Sequence, residues 1–116
     1  MDIAAFVEET LQGLAGIPQI ADSMVTTEGS IADGYGFVND ALYLRFYFNE
    51  RTGTTAFALI QSDERVWGID YDNRRGWHLH PVGASDRHEP CAPKSVGEIM
   101  NLIAKALEAI LSSYSA

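Results

Sequence analysis

The fold class is decided by one stretch of the chain, Leu42-Tyr43-Leu44-Arg45-Phe46-Tyr47-Phe48-Asn49. Every second residue in it is a large aliphatic or aromatic side chain, and the residues between include an arginine and an asparagine. Alternation with a period of two predicts a β-strand that has one apolar face. We therefore expect a sheet that buries one of its faces.

Turn-forming residues divide the sequence after this strand into further short segments. Apolar strands are predicted at 54–61, 65–72 and 77–80. Because the connections between them are only a few residues long, neighbouring strands must run antiparallel. Residues 23–38 are expected to add one more strand, although three glycines in that segment blur its limits. The pattern predicts an antiparallel β-meander of four to five strands.

Helical periodicity appears at both ends of the chain. Residues 2–15 have apolar side chains at helical spacing, followed by Gly16 and Pro18 as a stop signal. After a proline-containing loop at 81–94, Ser95 and Glu98 have the spacing of a capping box. A final apolar face is formed by Val96, Ile99, Ile103, Ala106, Leu107, Ile110 and Tyr114. We expect a single α+β domain over residues 1–116, with an N-terminal helix, the meander, and a C-terminal helix packed on one face of the sheet.

Charge and composition restrict the function. The formal net charge is −8, and residues 1–44 hold seven acidic residues and no Lys or Arg. Net acidity argues against broad binding to nucleic acids or anionic membranes. The one cysteine, Cys91, excludes an internal disulfide framework, and no apolar run approaches the roughly 18 residues of a membrane span. The first residues lack the positive charge of a secretory signal, so a cytoplasmic location is expected.

The residues suited to catalysis concentrate between Asn73 and Lys94, where all three histidines lie. His78 and His80 are two apart on a predicted strand, so they share one face. Two imidazoles can act as general base and general acid, which would suit metal-independent cleavage of RNA without a cofactor. In this hypothesis Asp72 and Asn73 orient the site, and phosphate is bound by Arg74, Arg75, Arg87 and His88.

The register of the hairpin decides which carboxylates can reach the imidazoles. If Tyr71 opposes Trp77, then Asp70 opposes His78 and lies on the histidine face. If Asp72 opposes Trp77, the carboxylates lie on the other face. The sequence leaves both registers open. Asp72 and Asn73 also have an alternative role as turn residues that bond to their own backbone.

Two further interpretations remain open. His78, His80, His88 and Cys91 offer nitrogen and sulfur donors of the kind that zinc uses, although their spacing matches no zinc signature. The other interpretation is a non-catalytic interaction domain that contacts a basic partner through its acidic N-terminal third.

The strand–turn–histidine segment resembles the TumE-type toxins of prokaryotic toxin–antitoxin pairs. The resemblance rests on Tyr71-Asp72-Asn73, on Trp77-His78-Leu79-His80-Pro81 and on the helix that opens at Ser95. The order of elements is similar over most of the chain, and the motifs cover about 30 residues of this sequence. The resemblance implies a cytoplasmic toxin-like protein that acts on RNA and is held inactive by a cognate antitoxin.

Overall fold

The computed structural model describes residues 1–112, which form one helix, seven strands and a second helix in that order. The helices are α1 (Ile3–Ala15) and α2 (Val96–Ser112). The strands are β1 (Asp22–Glu28), β2 (Ile31–Phe37), β3 (Leu42–Asn49), β4 (Thr55–Gln61), β5 (Glu64–Asp72), β6 (Gly76–His80) and β7 (Glu89–Pro90). All neighbouring strands are antiparallel and pair in sequence order. The α+β class and the meander are therefore confirmed.

The prediction of four to five strands is wrong, because seven are present. Residues 23–38 form two strands, since Gly29 adopts a φ of +61° and reverses the chain there. A second glycine in this segment, Gly34, leaves room for the backbone of β1, because a Cβ at this position would collide with the Met24 carbonyl oxygen. The predicted loop at 81–94 also contains the two-residue strand β7, which pairs with β6.

One core cluster joins both helices to one face of the sheet. Asp2 caps α1 by accepting from the Ala5 N–H, and the ring of Phe6 stacks on that of Phe48 at 4.5 Å. The capping box at the start of α2 forms as predicted. Its predicted apolar face is buried from Val96 to Ile110, and Tyr114 lies outside the described residues. Among residues 1–112, no helix has the length and apolar character that crossing a bilayer requires.

The other face of the sheet carries the side chains of Asp70, His78 and His80. Strand pairing places Ile69 and Leu79 together on the core face, so Asp70 and His78 lie together on the opposite face. Residues 81–88 fold across this second face before the chain returns as β7. The fold thus separates the apolar core from a polar cluster on β5 and β6.

Candidate metal centre

The β5–β6 hairpin adopts the first of the two registers left open by the sequence. Tyr71 lies opposite Trp77, and Asp70 lies directly opposite His78. Because side chains alternate along a strand, His80 projects on the same face as His78. The hairpin therefore brings one carboxylate and two imidazoles together.

The third histidine joins this cluster from the 81–88 loop. The ring centroid of His88 lies 4.5 Å from that of His80 and 5.3 Å from that of His78. One nitrogen atom from each of the three rings lies within 4.8 Å of the others. His78 and His80 are 4% and 1% exposed, whereas His88 is exposed. The cluster therefore has a buried side and a side that faces solvent.

The backbone fixes which nitrogen of each buried imidazole is available. His78 Nδ1 is 3.2 Å from the Gly76 carbonyl oxygen, and His80 Nδ1 is 3.0 Å from the Ser85 carbonyl oxygen. A carbonyl oxygen can only accept, so Nδ1 carries the proton in both rings. In the neutral imidazole, Nε2 then presents its lone pair.

Both Nε2 atoms lie beside the carboxylate of Asp70. His78 Nε2 contacts Asp70 Oδ1, and His80 Nε2 is 3.4 Å from Asp70 Oδ2. Within residues 1–112, neither Nε2 atom nor Asp70 Oδ1 has a hydrogen-bond partner of acceptable geometry. A carboxylate beside two imidazole nitrogens is stabilised by a positive charge, which either a proton on an imidazole or a shared metal ion supplies. The arrangement therefore provides nitrogen and oxygen donors that a cation can use.

Burial favours the neutral form of His80. It lowers the pKa of His80, and the positive charge of Arg65 lowers this pKa further, against the opposing effect of Asp70. The neutral imidazole is the form that a metal ion binds.

A pair of contacts holds the 81–88 loop over the cluster. Ser85 Oγ donates to the Arg65 carbonyl oxygen at 2.7 Å, and Arg65 Nη2 donates to the Ser85 carbonyl oxygen at 3.0 Å. The same Ser85 carbonyl accepts from His80. These contacts fix both the loop and the orientation of the His80 ring.

Two of the predicted catalytic residues lie in the hairpin turn, away from the imidazole contacts. Asp72 accepts from the backbone N–H groups of Arg74 and Arg75 and from Arg75 Nε. The backbone N–H of Arg75 is the largest cause of a lowered Asp72 pKa. Asn73 Oδ1 accepts from the Tyr71 hydroxyl. These contacts match the alternative role of Asp72 and Asn73 as turn residues, and place Arg74 and Arg75 in the same turn.

The remaining predicted residues divide between the loop and the core. Arg87 pairs with Glu89 at 2.8 Å, next to His88. Cys91 packs against the hydrophobic core instead. Its backbone N–H donates to the Trp77 carbonyl, and the β6–β7 register places its side chain on the same face of the sheet as Trp77. Burial raises the pKa of the Cys91 thiol. Cys91 is therefore absent from the histidine cluster, and Asp70 is the fourth residue that could donate to a metal ion there.

Sequence reasoning placed the three histidines together but left Asp70 undecided and missed Arg65 and Ser85. The place of Asp70 beside the histidines follows only from the register of the β5–β6 hairpin, which the sequence left open. Arg65 and Ser85 act through backbone carbonyls as well as side chains, and such contacts leave no spacing pattern in a sequence.

No protein-family model, curated protein or solved structure matches this chain. The resemblance to TumE-type toxins therefore stays a prediction, and the function has to be argued from the site itself.

Proposed function

We propose that this protein binds a divalent first-row transition metal, with zinc as the reference ion, through His78, His80, His88 and Asp70. The observation that carries the proposal is the pair of buried Nε2 atoms that lack hydrogen-bond partners and face one carboxylate. Imidazole nitrogen and carboxylate oxygen are established zinc donors. A buried polar cluster of this kind costs free energy unless it is satisfied.

Coordination requires the donor atoms to shift from their present positions. Two nitrogens bonded to one tetrahedral zinc lie about 3.3 Å apart, given Zn–N bonds of about 2.0 Å, and the three imidazole nitrogens lie within 4.8 Å of one another. The Asp70 carboxylate contacts His78 Nε2 too closely for an ion to lie between them, so zinc binding requires this carboxylate to move away from the ring. The backbone carbonyls at Gly76 and Ser85 already orient the two buried rings, and the exposed side chain of His88 is free to rotate.

Metal titration of protein purified without an affinity tag tests the proposal. Isothermal titration with zinc is expected to give one ion per chain, and His88→Ala is expected to weaken binding strongly. This variant removes an exposed ligand, so the fold should persist. Cys91→Ser is the matched control and should bind zinc as the unaltered protein does. Equal zinc affinity in His88→Ala and the unaltered protein would overturn the proposal.

The toxin-like endoribonuclease and its cognate antitoxin stay predictions. The burial of His78 and His80 favours a ligand role for these imidazoles over direct proton transfer to RNA, since an acid–base pair must reach its substrate. The ribonuclease hypothesis still predicts that the double variant His78→Ala/His80→Ala loses both RNA cleavage and growth arrest. RNA cleavage by chelator-treated protein that depends on these two histidines would favour it over the metal centre.

A further inference from the structure

A cavity lies on the core face of the sheet, on the side away from the histidines. Its volume is about 310 Å³, at the lower end of the range of small-molecule sites. It opens between the first turns of α1 and α2, beside the β3–β4 turn. The proposed metal centre shares no residue with it, so the two sites can be tested separately.

Two aromatic pairs line the cavity. Phe6 and Phe48 stack nearly parallel, with an angle of 10° between their planes. Tyr71 and Trp77 are cross-strand partners whose ring centroids lie 5.5 Å apart. Aromatic walls of this kind favour a flat, apolar ligand that can contact ring faces. Ile99 of α2 adds an aliphatic surface.

The charged groups at the cavity select the sign of such a ligand. Lys94 lines the cavity and is half-buried, and within residues 1–112 no carboxylate lies within ion-pair distance of it. Glu50 also lines the cavity, but its Oε1 accepts from the Ile3 N–H at 2.7 Å and thereby caps α1. Lys94 therefore brings to the cavity a positive charge that forms no ion pair within residues 1–112, although it acts over a longer distance on the Glu98 carboxylate.

We propose that this cavity binds a small aromatic anion, with the ring between the two aromatic pairs and the acidic group at the Lys94 ammonium. A carboxylate or a sulfonate meets the requirement, because the ammonium is a point charge without a fixed fork geometry. The cavity volume of about 310 Å³ limits the ligand to at most three rings.

The probe for the test is 1-anilinonaphthalene-8-sulfonate, an aromatic anion whose fluorescence rises in apolar sites. We expect saturable binding of one probe per chain, and a loss of about tenfold in affinity for Lys94→Gln, the size expected for one charge-assisted contact. Lys105→Gln is the matched control, because Lys105 is exposed in the middle of α2. N-phenyl-1-naphthylamine, the uncharged analogue, should bind both proteins equally.

The position of the probe is checked by amide chemical shifts. The largest shifts should fall at the amides of the cavity wall, such as Gly53 and Ser95. The proposal is overturned if Lys94→Gln keeps the full affinity for the anionic probe. It is equally overturned if the unaltered protein does not bind the probe, or if the largest shifts fall on the histidine face.

Discussion

Asp70 and His78 lie directly opposite each other in the β5–β6 ladder, and the carboxylate of Asp70 also reaches His80. Asp72, two residues further along the same strand, lies opposite Gly76 and bonds to the turn instead. The same residue type therefore has two different roles on one strand face. This difference provides a controlled test of the metal centre.

Asp70→Asn should lower zinc affinity by about 100-fold, the upper end of the losses seen even for supporting groups around metal sites. The substitution keeps the shape of the side chain but removes the negative charge that offsets the ion. Asp72→Asn should keep zinc affinity close to that of the unaltered protein, because Asp72 touches none of the three imidazoles. Competition with a chromogenic chelator measures both. Equal losses in the two variants would contradict the assignment of Asp70.

Ser85→Ala should weaken zinc binding by about tenfold, as expected for a group that orients a ligand. The substitution removes the hydroxyl that holds the 81–88 loop to the Arg65 carbonyl, so both the Ser85 carbonyl and His80 lose their fixed orientation. Hydrogen exchange of the loop amides should become faster at the same time. Ser23→Ala, on the far edge strand β1, is the control. An unchanged loop exchange rate in Ser85→Ala would show that the hydroxyl does not restrain the loop.

Thr10→Val should stabilise the protein by about 1 kcal/mol, the magnitude of an unsatisfied buried hydroxyl. Thr10 is fully buried in α1, and within residues 1–112 its Oγ1 has no hydrogen-bond partner. Thr55→Val is the matched comparison, because Thr55 is also buried but donates to the Gly53 carbonyl at 2.9 Å. That variant should be destabilised by about 1 kcal/mol. Urea unfolding of both variants gives the free energies of unfolding, and shifts of the same sign would refute this contrast.

The capping box of α2 predicts a pH dependence of stability. The Ser95 backbone N–H bonds to Glu98 and lowers the pKa of that carboxylate from its ordinary value of 4.5. A lowered folded-state pKa means that the contribution of Glu98 is present above 4.5 and is lost as the pH falls through the folded value. The stability difference between the unaltered protein and Glu98→Gln should therefore shrink on acidification.

Urea unfolding at neutral pH and near pH 3 measures this difference. Glu108→Gln, near the opposite end of α2, controls for the general effect of removing a carboxylate. A stability difference for Glu98→Gln that grows as the pH falls would have the wrong sign for a stabilising cap.

Local sequence signals were sufficient for most of the fold. The alternation at Leu42–Asn49, the two helical faces and the capping box at Ser95 each depend on neighbouring residues, and the structure contains them. The count of strands required more than local signals. Gly29 turns the chain through a positive φ, and a two-residue strand such as β7 exists only because β6 provides its hydrogen-bonding partners.

The candidate site was predictable in its residue types but not in its assembly. Three histidines within eleven residues are visible in the sequence. Their assembly into one cluster depends on two tertiary features. The register of the β5–β6 hairpin places Asp70 opposite His78, and the Ser85–Arg65 contacts hold the loop with His88 over the sheet. Cys91 leaves the set for the same reason, since β7 turns its side chain to the Trp77 face.

The most direct test of the metal centre is a crystal structure of the protein with equimolar zinc, with diffraction recorded on both sides of the zinc absorption edge. We expect one anomalous peak about 2.0–2.2 Å from nitrogens of His78, His80 and His88 and from a carboxylate oxygen of Asp70. Ordered side chains at these four residues without an anomalous peak among them would contradict it.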